Sequence, residues 1–206
     1  MGNVYNSDAG SFSSIAIYNA VPSSISAGVY RNSKSEPMKL ASELLAFKDL
    51  LPYRNFMAGE KNILVDLVNE FSTNSFQQSL KFSPNKAYSL FIIDDNAYKL
   101  LLTEDNVIKP SKGKSKIRLV HLSKTVGQLS YQFNNIDKKI SFKDVTDFNE
   151  LESNKTINIT LSDGRGESYR LEDHKLVDEG IYSLLIIGNK DNANEISKAQ
   201  LMLVKH

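Results

Sequence analysis

Three histidines are the side chains whose ordinary pKa lies nearest neutrality, so a general base is sought among them first. His121 sits between Val120 and Leu122 at the end of an aliphatic run. A base there needs a nucleophile or carboxylate within hydrogen-bond reach, and neither adjoins it. The matching position earlier in the chain is Asn19 or Ala20, so His121 reads as a polar group capping a loop. His174 stands in Glu172-Asp173-His174-Lys175 and is expected at the solvent, and His206 is terminal. Their separations lack the His-x-x-x-His spacing that presents two imidazoles to zinc.

Two other patterns touch on ligand chemistry. Asp94-Asp95-Asn96 and Asn189-Lys190-Asp191-Asn192 are oxygen-rich and equivalently placed, but neither has the alternating acidic spacing of a calcium loop, and Lys190 opposes a cation. Both read as hairpin loops. Asp163-Gly164-Arg165-Gly166-Glu167 could suggest phosphate cradling, yet no helix N-terminus follows it. Asn154-Lys155-Thr156 and Asn158-Ile159-Thr160 fit the glycosylation triplet and are given no role. The chain has no cysteine, which excludes disulfides, thiolate metal sites and a cysteine nucleophile. It also lacks tryptophan, the usual sugar-stacking ring, leaving Tyr5, Tyr18, Tyr30 and Tyr98 as substitutes. No residue is nominated as catalytic, cofactor-binding or metal-ligating, no cofactor is expected, and the ligand-binding residues are unknown.

Charge and hydropathy narrow the partners. With 25 basic and 24 acidic side chains, no global field draws in nucleic acid or an anionic membrane. At 41% hydrophobic and 24% charged, the chain is an ordinary globular one. No apolar run is long enough to cross a bilayer, and the opening Met1-Gly2-Asn3-Val4-Tyr5-Asn6 resembles neither a signal peptide nor a myristoylation site. A signal or lipid anchor removed upstream is an expectation from that polar start.

The elements that position these residues come in two sets. Phe47-Lys48-Asp49, with Tyr53 and Phe56, returns as Phe142-Lys143-Asp144, with Phe148 and Leu151. Ala87-Tyr88-Ser89-Leu90-Phe91-Ile92-Ile93 returns as Ile181-Tyr182-Ser183-Leu184-Leu185-Ile186-Ile187. The period of roughly 95 residues is too long for a solenoid unit and suits a small domain. Alternation dominates, as in Ile63-x-Val65-x-Leu67 and Ile157-x-Ile159-x-Leu161. The unbroken runs Tyr88–Ile93 and Tyr182–Ile187 predict strands covered on both faces. Met38–Leu51 has partial helical spacing, but its counterpart around Ile140 alternates, so strand is favoured in both, with room for a helical turn in the first. The expected fold is all-β, two tandem immunoglobulin-like antiparallel β-sandwiches. Residues 1–13 form a flexible tether, 14–104 the first module, 105–115 a basic linker and 116–206 the second module.

The order Ile117–Ser123, the alternating Leu129–Phe133, Phe142–Phe148, Ile157–Leu161 and Ile181–Gly188 is similar to the DUF4397 family, a domain of unknown function. Phe47, Tyr53, Ala58-Gly59 and Ile63-Leu64-Val65 carry the later part of the pattern in the first module. The resemblance implies immunoglobulin-like sandwiches of exported bacterial proteins, often lipid-anchored in the cell envelope, and brings no activity or ligand. Phe47 and Phe142 are expected to plug the cores from inward strand positions. Gly59 and Asn154 are expected in positive-φ reversals, and Tyr53, Tyr88 and Tyr182 to send their hydroxyls to backbone carbonyls.

The expected function is that of a non-catalytic cell-envelope binding or scaffold protein, a candidate surface lipoprotein in the periplasm or on the outer-membrane surface. Its partner would be a cell-surface glycan or an envelope protein, with the linker setting the angle between modules. Two alternatives stand beside it. One is an assembly or adhesion subunit that pairs exposed edge strands. The other is a hydrolase with a dispersed site, which requires a pocket where His121 or His174 meets an acid and a hydroxyl.

Overall fold

The computed structural model describes residues 11–32, 37–133 and 136–206, with only the backbone of Phe133. The expected tether falls outside the described residues over 1–10, as does the turn expected at Asn134-Asn135. The first half of the chain forms β1 (Phe12–Asn19), β2 (Ser26–Asn32), β3 (Met38–Lys39) and β4 (Leu50–Met57). It continues with β5 (Gly59–Val68), β6 (Thr73–Phe82), β7 (Ala87–Asp94) and β8 (Tyr98–Asp105). The second half forms β9 (Lys114–His121), β10 (Leu129–Phe133), β11 (Ile136–Ile140) and β12 (Asn149–Glu152). Its last four strands are β13 (Thr156–Ser162), β14 (Ser168–Lys175), β15 (Ile181–Ile187) and β16 (Gln200–Lys205). The segment with helical spacing is a two-residue strand, β3, followed by bends, and its counterpart is β11.

The fold is all-β, with two sandwiches. In the first half, sheet β4-β1-β7-β8 faces sheet β3-β2-β5-β6, and in the second, β12-β9-β15-β16 faces β11-β10-β13-β14. The second eight strands therefore repeat the order of the first. Pairing is antiparallel except where β1 meets β7 and β9 meets β15, which run parallel. Each sandwich closes a core on alternating side chains. Ile15, Ile17, Ile63, Val65, Leu90 and Ile92 fill the first, and Ile117, Leu119, Leu129, Leu161, Leu184 and Ile186 the second.

The opposite faces of the central strands are buried as well, because the two sandwiches pack on each other. Ala16, Tyr18, Phe91 and Ile93 of β1 and β7 meet Val120, Leu122, Leu185 and Ile187 across a third apolar layer. Tyr18 stacks on Phe91 with ring centroids 4.9 Å apart. This explains the two unbroken apolar runs, since the cover on their second face is the other half of the chain.

The doubled Phe-Lys-Asp motif is a turn, and here the expected core strands are corrected. Lys48 and Lys143 take φ of 78° and 73°, the left-handed region that reverses the chain. Asp49 Oδ2 accepts the Ala46 amide and Asp144 Oδ2 the Ser141 amide, both at 2.8 Å. The Lys48 and Lys143 amides then donate to the carbonyls of Asn19 and His121 at 2.9 and 2.8 Å, stapling the ends of β1 and β9. Phe47 and Phe142 thus project from turns onto the layer between the halves, not from strands into the two cores. Gly59 and Asn154 do take positive φ, 100° and 59°.

The tyrosine expectation is also corrected. Tyr88 and Tyr182 accept hydrogen bonds from the Ser83 and Val177 amides, at 2.9 and 3.0 Å, so their hydroxyls serve amides and not carbonyls. Tyr53 turns to a side chain, described next.

Candidate functional site

Five strands bring a polar cluster into the layer between the halves. Arg118 projects from β9 on the face opposite Ile117 and Leu119, because successive strand residues alternate. Asp105 ends β8, and Ser89 and Ser183 take equivalent places in β7 and β15, the one small polar residue inside each apolar run. Tyr53 reaches in from β4. Beyond the strands, His206 follows β16 and Phe148 precedes β12.

Arg118 Nη1 pairs with Asp105 Oδ1 at 2.6 Å, and the two side chains are 2% and 0% exposed. Arg118 Nε donates to Ser183 Oγ at 2.8 Å, and Nη2 to Ser89 Oγ at 3.1 Å. The guanidinium also lies 4.7 Å from the Phe148 ring centroid. On the other side, Ser89 donates to Asp105 Oδ2 at 2.6 Å, Thr103 to Oδ1 at 3.1 Å, and Tyr53 to Oδ2 in a short contact. An ion pair this deep survives because nearly every remaining donor and lone pair is used. Burial, then the Asp105 charge, pushes the phenols of Tyr18 and Tyr53 well up, so both stay protonated donors.

Further contacts run the length of the same seam. Lys143 pairs with Asp95 at 2.9 Å, and Ser197 Oγ donates to the Pro22 carbonyl at 3.0 Å. Asp95, in one of the oxygen-rich loops, is thereby committed to Lys143 and to Lys99. The connection between halves is itself tied down, with Lys109 paired to Glu179 and the Gly113 amide donating to Asp178 at 2.7 Å. The angle between the sandwiches is set by this seam and not by the basic linker.

His121 and His174 fall where their sequence signals put them, and His206 makes contacts that its terminal position did not signal. His121 is fully buried, and its Nε2 bonds the Gly127 carbonyl at 3.1 Å, the loop contact expected of it, while Nδ1 has no partner among the described residues. Burial holds its pKa down. His174 is exposed on β14. His206 instead meets a hydroxyl, with Nε2 2.8 Å from Ser183 Oγ and Nδ1 3.5 Å from the Tyr18 hydroxyl. Burial, with Arg118 nearby, lowers its pKa to about 4. That imidazole is a weak base at neutral pH, its Nδ1 has no carboxylate, and Ser183 is 0% exposed. The arrangement fixes two sheets against each other. Arg118 and Asp105 were missed in the sequence, although an arginine inside Ile117-Arg118-Leu119-Val120 signals a buried charge in need of a partner.

The two halves also differ in the outer sheet. In the first, β2 pairs with β5 along seven positions, from Ser26↔Val68 to Asn32↔Asn62. In the second, the counterparts β10 and β13 meet, among the described residues, at Ser130↔Ser162. A cleft of about 220 Å³ lies between the two sheets of the second half, lined by Leu119 and Leu151 on one side and Tyr131, Ile157 and Ile159 on the other.

Among the described residues, no helix is long and apolar enough to cross a membrane, and no group of three metal-binding side chains is present. No curated protein matches the chain. A fimbrial assembly protein from Parabacteroides distasonis ATCC 8503 aligns over 95% of this chain and 96% of its own, at 9% identity and a TM-score of 0.26. A family model, "Domain of unknown function (DUF4397)", matches residues 13–132, running from β1 into β10 without delimiting two copies. On that match, which spans more than half its length, the chain belongs to the DUF4397 family.

Proposed function

We propose that this protein is a non-catalytic binding and scaffold protein of the cell envelope whose two sandwiches act as one rigid body. The observation that carries the reading is the sealed Arg118–Asp105 seam. It uses polar groups capable of chemistry to hold the halves together, Arg118 on Asp105 and Ser89, and His206 beside Tyr18, with Ser183 bonded to both Arg118 and His206 within the second half's sheet. Recognition is then left to the outward sheets and loop ends, where a rigid scaffold positions variable residues. A cell-surface glycan or an envelope protein is the partner class we assign, with the protein held outside the cytoplasm as a lipoprotein or periplasmic component. The lack of cysteine and the nearly balanced charge, +1 net, are compatible with that setting.

The test has two arms. Backbone ¹⁵N relaxation is expected to give one rotational correlation time for residues of both halves, and a glycan and envelope-protein array to return a ligand. Independent tumbling of the halves, or ester or glycoside turnover abolished by Ser183→Ala, would overturn the reading.

A further inference from the structure

We infer that the mouth between the two sheets of the first half is a binding site for a small amphiphile with a carboxylate head and an alkyl tail, the chemistry of a medium-chain fatty acid. The site goes beyond the glycan or envelope-protein partner proposed above, and neither reading needs the other.

The strand pattern builds the site. Ala27 and Val29 of β2 point into the first core, so alternation turns Arg31 inward too, one step beyond them near the end of the strand. On the facing sheet, Arg54 of β4 pairs with Ile15 of β1, a core residue, and cross-strand partners share a face. Two arginines therefore enter the space between the sheets on the side where β3 and β4 are the edge strands. A cavity of about 410 Å³ lies there, within the roughly 300–1,000 Å³ of small-molecule pockets. Ile15, Leu51 and Phe56, all buried, line its inner part. Phe12, Met38 and Met57 stand at its rim, 55%, 56% and 44% exposed, an apolar cluster at the surface of a soluble sandwich.

Charge complementarity names the ligand. Arg31 Nη1 donates to Met57 Sδ at 3.3 Å and Nη2 to Met38 Sδ at 3.6 Å, and a thioether is a weak acceptor. Its Nε is buried with no partner among the described residues. Arg54 has no ion pair and Lys39 holds its ammonium on the Ser42 carbonyl at 3.0 Å, while no acidic side chain among the described residues lines the cavity. A guanidinium whose forks meet only sulfur is matched by the two oxygens of a carboxylate, and flexible methionine side chains move aside to admit them. The buried aliphatic and aromatic lining then takes the alkyl tail. A cationic head is repelled by both arginines, and a hydroxyl head leaves their charge uncompensated. The second half carries Asn149 and Leu151 in place of Arg54 and Phe56, so its smaller cleft lacks this cation.

The probe is decanoate, with 1-decanol and decyltrimethylammonium as controls, titrated into the full chain carrying ¹³C-methyl methionine. Met38 and Met57 flank Arg31, whereas Met202 lies in the layer between the halves and serves as an internal reference. Decanoate is expected to saturate a single site, shifting the Met38 and Met57 methyl resonances and leaving Met202 unmoved. 1-Decanol is expected to bind about tenfold more weakly or less, and decyltrimethylammonium to shift none of the three. Arg31→Gln is expected to weaken decanoate about tenfold, and Arg54→Gln to weaken it by a smaller factor, while Arg165→Gln in the β13–β14 loop leaves it unchanged. If Arg31→Gln does not fold, Arg54→Gln, at an exposed position of β4, decides alone. No shift of Met38 and Met57 with decanoate, equal affinity for 1-decanol, or full affinity in the folded arginine variants would each overturn the site. None of these touches the rigid-scaffold reading, which fails instead on turnover or independent tumbling.

Discussion

Replacing Arg118 by Met keeps an unbranched apolar stem and removes the guanidinium and its charge. Asp105, 0% exposed, then loses its counter-ion but keeps the hydroxyls of Tyr53, Ser89 and Thr103. Breaking a buried pair from one side costs about 3–5 kcal/mol, and three surviving donors put this case near the lower end, at about 3 kcal/mol. Asp105→Asn strands the guanidinium against two serine hydroxyls and the Phe148 ring, and its cost is expected toward the upper end. The double variant Arg118→Met with Asp105→Leu buries no charge, so it is expected to cost less than either single change. With single costs of about 3 and about 5 kcal/mol and a double cost below about 3, that amounts to a coupling energy of about 5 kcal/mol or more.

Urea unfolding followed by far-ultraviolet circular dichroism reads the loss as a lower midpoint, and urea avoids screening the pair. Without tryptophan, the near-ultraviolet signal comes largely from tyrosines, of which Tyr18 and Tyr53 lie at the seam. In Arg118→Met that signal is expected to be lost at lower urea than the sheet signal. A cost below about 1 kcal/mol for Arg118→Met, or single costs that add in the double variant, would refute the claim that this pair holds the halves together.

Acid should loosen the same seam. The folded state holds His206 at about 4, so the unfolded chain, near 6.5, takes up the proton first. Stability is then full above pH 6.5 and falls as pH drops toward 4, with a ceiling of about 3 kcal/mol from this group, and His206→Phe should flatten the urea-midpoint slope over that window. His121, also held down by burial, contributes in the same direction, so some slope is expected to remain. Lys48→Gly relieves a left-handed φ at a residue with no ion pair among the described residues and is expected to raise stability by up to about 1 kcal/mol in thermal unfolding. Asp144→Ala, which leaves the Ser141 amide without its acceptor, should cost about 1 kcal/mol in the same assay. Tyr182→Phe should cost a similar amount through the Val177 amide.

Strand content was legible because period-2 alternation and turn residues are local signals. Ile63-x-Val65-x-Leu67 announces a one-sided strand without knowledge of its neighbours. The positive φ at Gly59 and Asn154 was legible for the same reason. What escaped was long-range. Phe47 and Phe142 read as core residues because an aromatic beside a charge does not reveal whether it leaves a strand or a turn. Arg118 drew no assignment of its own, since nothing within a few residues names Asp105 as its partner. The runs Tyr88–Ile93 and Tyr182–Ile187 correctly required cover on both faces, but their composition is silent on which surface provides it. His206 drew no attention because Ser183 becomes its neighbour only through the β15–β16 pairing.

Stacking puts β4-β1-β7-β8 and β12-β9-β15-β16 in the middle of a four-layer body, roughly 30 Å thick from three sheet spacings. The outer sheets, β3-β2-β5-β6 and β11-β10-β13-β14, are each separated from the Arg118–Asp105 pair by the core of their own half. Any surface those sheets present is therefore carried by a body whose inner layers are already fixed, and an immobile surface loses little further entropy when a partner binds it.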